Sequence, residues 1–179
     1  MLASLDRVTK LYGRTEGVRN LTVDFPAGEV VGILGLNGSG KSTMLKLLAG
    51  LLFPTSGEAR VFGGPARRQR ANVVYLGEND ALWSWMTPDD AATFMQGLYG
   101  DFEVSRYRDL LSSLAVPRRR TKAMSKGERG RLRLAMALAR SARLYLLDEP
   151  LGGIDLLSRE RLLESSGREG HRDEPIRLS

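Results

Sequence analysis

Eight consecutive residues, Gly35, Leu36, Asn37, Gly38, Ser39, Gly40, Lys41 and Ser42, have the types and spacing of a polyphosphate cradle. Glycines let successive backbone N–H groups curl around phosphate oxygens. A helix starting behind such a loop aims its positive end at the same point. Lys41 supplies a point charge for β and γ phosphates, and the Ser42 hydroxyl is a ligand for Mg²⁺. The candidate nucleotide contacts are therefore Gly35, Asn37, Gly38, Ser39, Gly40, Lys41, Ser42 and, in the first helical turn, Thr43, with Lys41 also a catalytic candidate. Farther along, the apolar run Leu144 to Leu147 ends in Asp148, Glu149 and Pro150. A carboxylate at the end of a buried strand suits Asp148 as a holder of Mg²⁺, acting through water. Glu149 is then placed to polarise an attacking water. An isolated Asp-Glu pair would cap a helix or face solvent. Downstream of a phosphate loop, metal binding and water activation are the expected roles.

These groups need a scaffold, and the hydrophobic pattern outlines one. Val18 to Phe25 alternates as a strand does and closes in the turn Pro26, Ala27, Gly28. Glu29 to Leu34 is a short, nearly continuous apolar run, which predicts a strand buried on both faces. Lys41 to Leu52 places Met44, Leu45, Leu47, Leu48 and Leu51 at helical spacing. Strand, glycine loop and helix open a βαβ unit. Gly57 to Phe62 and Val73 to Leu76 are expected as short strands. Thr87, Pro88, Asp89 and Asp90 form a helix start, followed by helices over Pro88 to Tyr99 and Ser105 to Leu114. A helical insert is thus expected at about residues 80–121. Lys126 to Arg140 (helix), Leu144 to Leu147 (strand) and Leu156 to Glu164 (helix) complete the pattern. This alternation predicts an α/β domain on a mostly parallel sheet, interrupted by a helical subdomain.

Composition narrows the chemistry. With 42% hydrophobic and 27% charged residues in 179, the chain is not a disordered, collagenous or coiled-coil polymer. It has no cysteine, which excludes disulfides, thiolate zinc and a cysteine nucleophile. A single histidine, His171, excludes a multi-histidine metal site. The net charge of +6 is a mild excess, read as a solvated surface, and no nucleic-acid partner is expected. No stretch approaches the ~20 apolar residues that span a bilayer. The N-terminus has an acid at Asp6 and no sustained apolar core, so it does not read as a signal peptide. A role at a membrane is expected to need spans from another chain.

Met124, Ser125, Lys126, Gly127 and Glu128 precede a helix rich in Leu, Ala, Met and Arg. Here the sequence resembles the ATP-binding subunits of ABC transporters. Their signature is Leu-Ser-Gly-Gly-Gln, which Ser125 and Gly127 match while Met124, Lys126 and Glu128 depart. The Ser-Lys-Gly form is similar to that of bacterial exporter subunits of the ABC-2 kind. Ser125 and Glu128 also form a capping box, so the helix start carries a serine oxygen, free amides and a positive dipole end.

The resemblance implies a P-loop NTPase fold: a mostly parallel sheet, a small antiparallel β part and the inserted helical subdomain. Its ATP-binding domain would be residues 1–164. It also implies that Ser125, Gly127 and Glu128 face the γ-phosphate of an ATP held by a second subunit. Tyr12 would stack on adenine, a reading favoured over that of a half-buried strand tyrosine. Glu78 falls where the family has a glutamine that touches Mg²⁺, making it a metal candidate beside Ser42 and Asp148. Asp155 would couple the two sites of the dimer.

Leu82 to Met86 contains Trp83, Trp85 and Met86, which the resemblance places where a membrane partner is gripped; packing of the subdomain core is the other reading. Arg118, Arg119, Arg120 and Lys122 read as a solvated loop. The match runs from about Leu2 to Glu164. Beyond it, residues 165–179 are polar, contain Gly and Pro and show no strand run, so a disordered tail and a truncated or frame-shifted subunit are expected. His171 follows no apolar segment and reads as a surface residue rather than the family's switch histidine.

The resemblance thus implies a cytoplasmic ATPase, peripheral on the inner face of the membrane, that uses ATP and Mg²⁺. It would work as a nucleotide-sandwich homo- or heterodimer powering export through a separate transmembrane permease. Two alternatives stay open: a catalytically impaired ATP binder, and a soluble ABC-type ATPase not coupled to transport. A GTPase would need an Asn-Lys-x-Asp motif, which Thr121, Lys122, Ala123 and Met124 do not provide. The transported substrate is not written in this chain, because specificity lies in the permease.

Overall fold

The computed structural model describes residues 1–78 and 82–148. They form two compact units, one of residues 1–77 with 142–148 and the other within residues 78–141.

In the first unit, strands β1 (Ala3–Tyr12) and β2 (Thr15–Phe25) make an antiparallel hairpin. Its two-residue turn uses Gly13 at φ 61°, a backbone region that glycine enters without penalty. Strand β3 (Ser56–Val61) pairs antiparallel with the other edge of β1, and the two-residue β4 (Gly64–Pro65) follows it, giving the order β2-β1-β3-β4. The β1–β3 register shifts between Asp6 and Thr9. The two backbones close tightly there because Gly57 (φ 81°) has no Cβ; one would lie 2.3 Å from the Arg7 carbonyl oxygen. Leu5, Val8, Val18 and Val61 bury against Met44, Leu45, Leu47 and Leu48 of α1 (Lys41–Leu48). Helix α1 stops at Leu48, short of the expected Leu52, where the chain turns through Gly50 at φ 67°.

Strands β5 (Val73–Leu76) and β6 (Leu144–Leu147) have the expected boundaries and pair in parallel. Every residue of β6 is buried, which is why its sequence is apolar without alternation. The fold is α/β, but among the described residues the antiparallel sheet is the larger and the parallel ladder has two strands.

Glu29 to Leu34 departs from the expected strand. It has no ladder pairing among the described residues and is exposed on alternate residues: Val30 is 61% and Leu34 98% accessible, while Val31 and Ile33 pack on the core. An apolar cleft lined by Val31, Ile33, Leu45, Leu48 and β6 occupies the place of a ladder. Apolar character draws one face of the run onto α1. Strand pairing further requires ladder hydrogen bonds to a neighbouring backbone, and apolar character alone does not supply them.

The second unit holds α2 (Pro88–Leu98), α3 (Val104–Ser113) and α4 (Lys126–Leu138). Thr87 caps α2 in a capping box: its hydroxyl accepts from the Asp90 amide at 3.2 Å, and its own amide donates to Asp90 Oδ2 at 2.8 Å. The Thr87 hydroxyl first, donating to Asp90 Oδ2 at 2.7 Å, and the Thr87 amide second hold the Asp90 carboxyl below the usual range. Buried Tyr107 on α3 donates to the Pro88 carbonyl at 2.9 Å, and burial pushes its phenol well above the ordinary value.

The end of α4 is clamped to the α2–α3 connection. The Glu103 amide donates to Ala139 O, the Ser141 amide donates to Asp101 O, and the Ser141 hydroxyl bonds to Glu103. Arg140 grips Asp101 with two hydrogen bonds, Nε to Oδ1 at 3.0 Å and Nη2 to Oδ2 at 2.9 Å, and its guanidinium lies 3.9 Å from the Tyr99 ring centre. The Arg140 side chain is 6% exposed, so removing Asp101 takes a two-bond carboxylate partner from a buried charge. Asp101→Ala is expected to cost about 3 kcal/mol, read as a lowered midpoint in urea denaturation. A change under ~1 kcal/mol would place this pair among ordinary surface bridges.

Candidate functional site

The phosphate loop is shaped by its glycines. Gly38 (φ 83°) lies in a turn in which the Ser39 amide donates to Leu36 O at 3.1 Å. Gly40 (φ 93°) is the N-cap of α1, and a Cβ there would stand 2.4 Å from Gly17 O and 2.7 Å from Val18 Cγ1. The loop therefore closes onto β2 only because position 40 is glycine. No side chain caps α1 and no acid sits in its first turn, which leaves the helix dipole's positive end uncompensated. Lys41 folds back over the loop, its Nζ donating to Gly35 O at 2.7 Å and Leu36 O at 3.1 Å. Residues 35–39 are exposed, so the loop is open to a solute.

Two further candidates join this loop. The Tyr12 hydroxyl lies 3.3 Å from Thr43 Oγ1, and its ring passes over Gly17, where a Cβ would be 2.8 Å from Tyr12 Cε2. Tyr12 is 45% exposed, so a face of the ring remains available beside the loop. Asp148 follows β6 and is 5% exposed. Its amide donates to Leu76 O at 2.8 Å, and its Oδ1 accepts from the Ser42 hydroxyl at 3.0 Å. Ser42 and Asp148 thus bring two hard oxygen donors together, chemistry that could hold Mg²⁺. No group of three or more His, Cys, Asp or Glu side chains that could hold a metal ion occurs among the described residues.

Ser125, Gly127 and Glu128 lie in the second unit at the start of α4. The capping box forms: Glu128 N donates to Ser125 Oγ at 3.2 Å, and Ser125 N donates to Glu128 Oε2 at 2.7 Å. Arg119 Nη2 donates to both Glu128 oxygens at 2.8 Å. The Ser125 amide first and Arg119 second hold the Glu128 carboxyl below its usual range. Arg119, expected in a solvated loop, is instead paired. Its partner is nine positions away across a turn, beyond what helical or strand spacing links. Glu78 is exposed in this same unit, and its carbonyl accepts from Arg133 at 3.2 Å. Glu149, Asp155 and His171 lie outside the described residues.

The loop from Trp83 to Met86 splits its apolar residues. Met86 is buried, whereas Trp83 and Trp85 are 48% and 56% exposed and stack with ring centres 6.0 Å apart. Phe94 meets Trp83 edge-on at 4.9 Å. Buried Thr121 fixes the loop: its hydroxyl donates to Trp83 O at 2.6 Å and its amide to Met86 O at 2.8 Å.

A glycine loop capping a helix, joined through Ser42 to an aspartate at the end of a parallel strand, is the arrangement of the P-loop NTPase fold. The sequence profile of the ABC transporter family matches residues 18–152, and the chain belongs to that family. It is 37% identical over 156 residues to a taurine import ATP-binding protein of Burkholderia pseudomallei, a match covering 84% of this chain and 60% of that protein. The chain thus spans about 60% of the length of the curated relative it matches. A solved ATP-binding subunit of an ABC transporter superposes with TM-score 0.83 at 25% identity, over 99% of this chain and 79% of that one. An ATP-binding cassette solved as a dimer in a post-hydrolysis state, with ADP and phosphate bound, shares the fold at TM-score 0.81 and 23% identity, over 99% of this chain and 88% of that chain.

The depressed Glu128 carboxyl gives a signed pH dependence. Its contribution to the α4 cap is present above the unfolded-state value and is lost as pH falls through the lower folded value. In an NMR pH titration, the Ser125 amide is expected to shift only below the usual carboxylate range. Glu128→Gln should abolish that transition while the cap persists. A Ser125 transition at the ordinary glutamate position would contradict the assignment.

Proposed function

We propose that this chain is the ATP-binding subunit of an ABC transporter, binding Mg-ATP at the Gly35–Thr43 loop and hydrolysing it. The observation that carries the reading is the Ser42–Asp148 hydrogen bond at 3.0 Å, which brings a phosphate loop and a buried carboxylate to one place. The loop amides and the start of α1 bind the phosphates. Lys41 exchanges the Gly35 and Leu36 carbonyls for phosphate oxygens, which are stronger acceptors for an ammonium. Tyr12 stacks on the adenine. Ser42 and Asp148 hold Mg²⁺, with Glu78 as a further ligand; the ion, when bound, neutralises charge on the β and γ phosphates. Glu149, next in sequence to Asp148, takes the proton of the attacking water.

Ser125, Gly127 and Glu128 act on the ATP of a second subunit, with Asp155 coupling the two sites. The dimeric cassette that holds ADP and phosphate supports this arrangement. A separate permease supplies the membrane spans; no helix of the described residues is long and apolar enough to cross a bilayer. The stacked Trp83–Trp85 pair, with Phe94, is its docking surface; exposed aromatics rimmed by polar residues favour such contacts. The chain then sits peripherally on the inner face of the membrane. The Ser-Lys-Gly form of residues 125–127 supports export, while the taurine relative carries an import name.

Two substitutions test the reading. Lys41→Ala is expected to weaken binding of a fluorescent ATP analogue at least ~10-fold, the effect of losing a charge-assisted contact of ~1.4 kcal/mol or more. Glu149→Gln should keep that affinity and lower ATP turnover by ~10²-fold or more. Turnover indifferent to Glu149→Gln would refute its role. Tight Mg-ATP binding without turnover in the unsubstituted chain would identify a pure nucleotide binder.

A further inference from the structure

Strand β5 reads Val73, Val74, Tyr75, Leu76, an apolar run with one hydroxyl. That hydroxyl does not point to solvent. Tyr75 donates to Asp148 Oδ2 at 3.0 Å, while Ser42 donates to Oδ1, also at 3.0 Å. Each carboxylate oxygen thus has its own hydroxyl donor. Asp148 is 5% exposed, so protein donors rather than bulk water set its orientation.

The arrangement is built into the strand pair. The parallel register sets Tyr75 opposite Leu146 and Leu76 opposite Leu147, and the Asp148 amide continues the ladder onto Leu76 O. The strand that holds the Asp148 backbone therefore also presents the donor for its side chain. The tyrosine ring has room because residue 77, two positions on, is glycine. A Cβ there would lie 2.9 Å from Tyr75 Cε1 and 3.0 Å from its hydroxyl oxygen. Tyr75 and Gly77 form one device, with the glycine vacating the volume that the ring fills.

We infer that Tyr75 is a positioning residue for the Mg²⁺ site. By holding Oδ2 it fixes the plane of the Asp148 carboxylate and keeps Oδ1 directed to the side of Ser42. A carboxylate free to rotate would lose entropy when it engages the metal; one already held by two donors would not. Partners in this outer position typically change metal affinity ~10–100-fold. The inference rests on the nucleotide reading proposed above and adds to it a residue outside every motif in the sequence.

The test is binding of a fluorescent ATP analogue to the full chain, titrated with Mg²⁺ and repeated in EDTA. Tyr75→Phe keeps the ring and removes only the hydroxyl. It is expected to raise the Mg²⁺ concentration for half-maximal enhancement of binding ~10-fold, while affinity in EDTA and the melting temperature stay near those of the unsubstituted chain. Gly77→Ala keeps the hydroxyl but displaces the ring, and should shift the Mg²⁺ dependence in the same direction. A Tyr75→Phe chain with unchanged Mg²⁺ dependence would overturn the inference. So would an equal loss of affinity in EDTA, which marks general damage to the loop. If the unsubstituted chain binds the analogue in neither condition, the nucleotide reading itself fails and this inference with it.

Discussion

A single hydrogen bond between residues 106 positions apart, Ser42 to Asp148, is the constraint on which the site depends. Ser42 is placed by the start of α1, and Asp148 by the end of β6. Neither element carries the chemistry alone. The bond requires β6 to run parallel to β5 in a register that ends the ladder at Asp148, and α1 to begin where the glycine loop releases it. The buried faces of α1 and β6 share one apolar core, through Met44, Leu45, Leu47 and Leu48 on one side and Leu144 and Leu146 on the other. Hydrophobic packing therefore sets a polar distance. A non-directional force of large magnitude positions a directional contact whose net stability is small.

The start of α4 faces a conflict of charge. An acid in the first turn stabilises the helix through its dipole and, as Glu128, completes the capping box. The same carboxylate repels any anion that approaches that helix end. Arg119, with Nη2 2.8 Å from both Glu128 oxygens, answers the conflict by cancelling the charge without breaking the cap. The helix keeps its cap while the carboxylate is paired with a cation. A phosphate-facing role for this end is compatible with glutamate at position 128 because the arginine is present.

Polar anchoring also sorts the apolar residues of the Trp83–Met86 loop. Buried Thr121 ties down the carbonyls of Trp83 and Met86, and with that backbone fixed Met86 turns into the core while the tryptophans turn out. Half-exposed indoles on a rigid loop give contact area without the entropy cost of ordering it on binding. Those who alter this surface should treat Thr121 as part of it.

Features that depend on near neighbours in the chain were legible in the sequence. The phosphate loop, the Ser125–Glu128 capping box, the Pro88 helix start and the limits of β5 and β6 all follow from residue types within a few positions of one another. Strand β1 was not legible, because the polar residues Asp6, Arg7 and Lys10 interrupt its alternation and its register shifts around them. Glu29 to Leu34 was misread: a nearly continuous apolar run implies burial on both faces, whereas only Val31 and Ile33 pack on the core, and a pattern cannot supply the strand that must lie alongside. The Tyr75–Asp148 and Arg119–Glu128 contacts were decided by tertiary structure alone. Periodicity tells a residue which face it occupies. Only packing between distant segments tells a hydroxyl or a guanidinium which carboxylate it will meet.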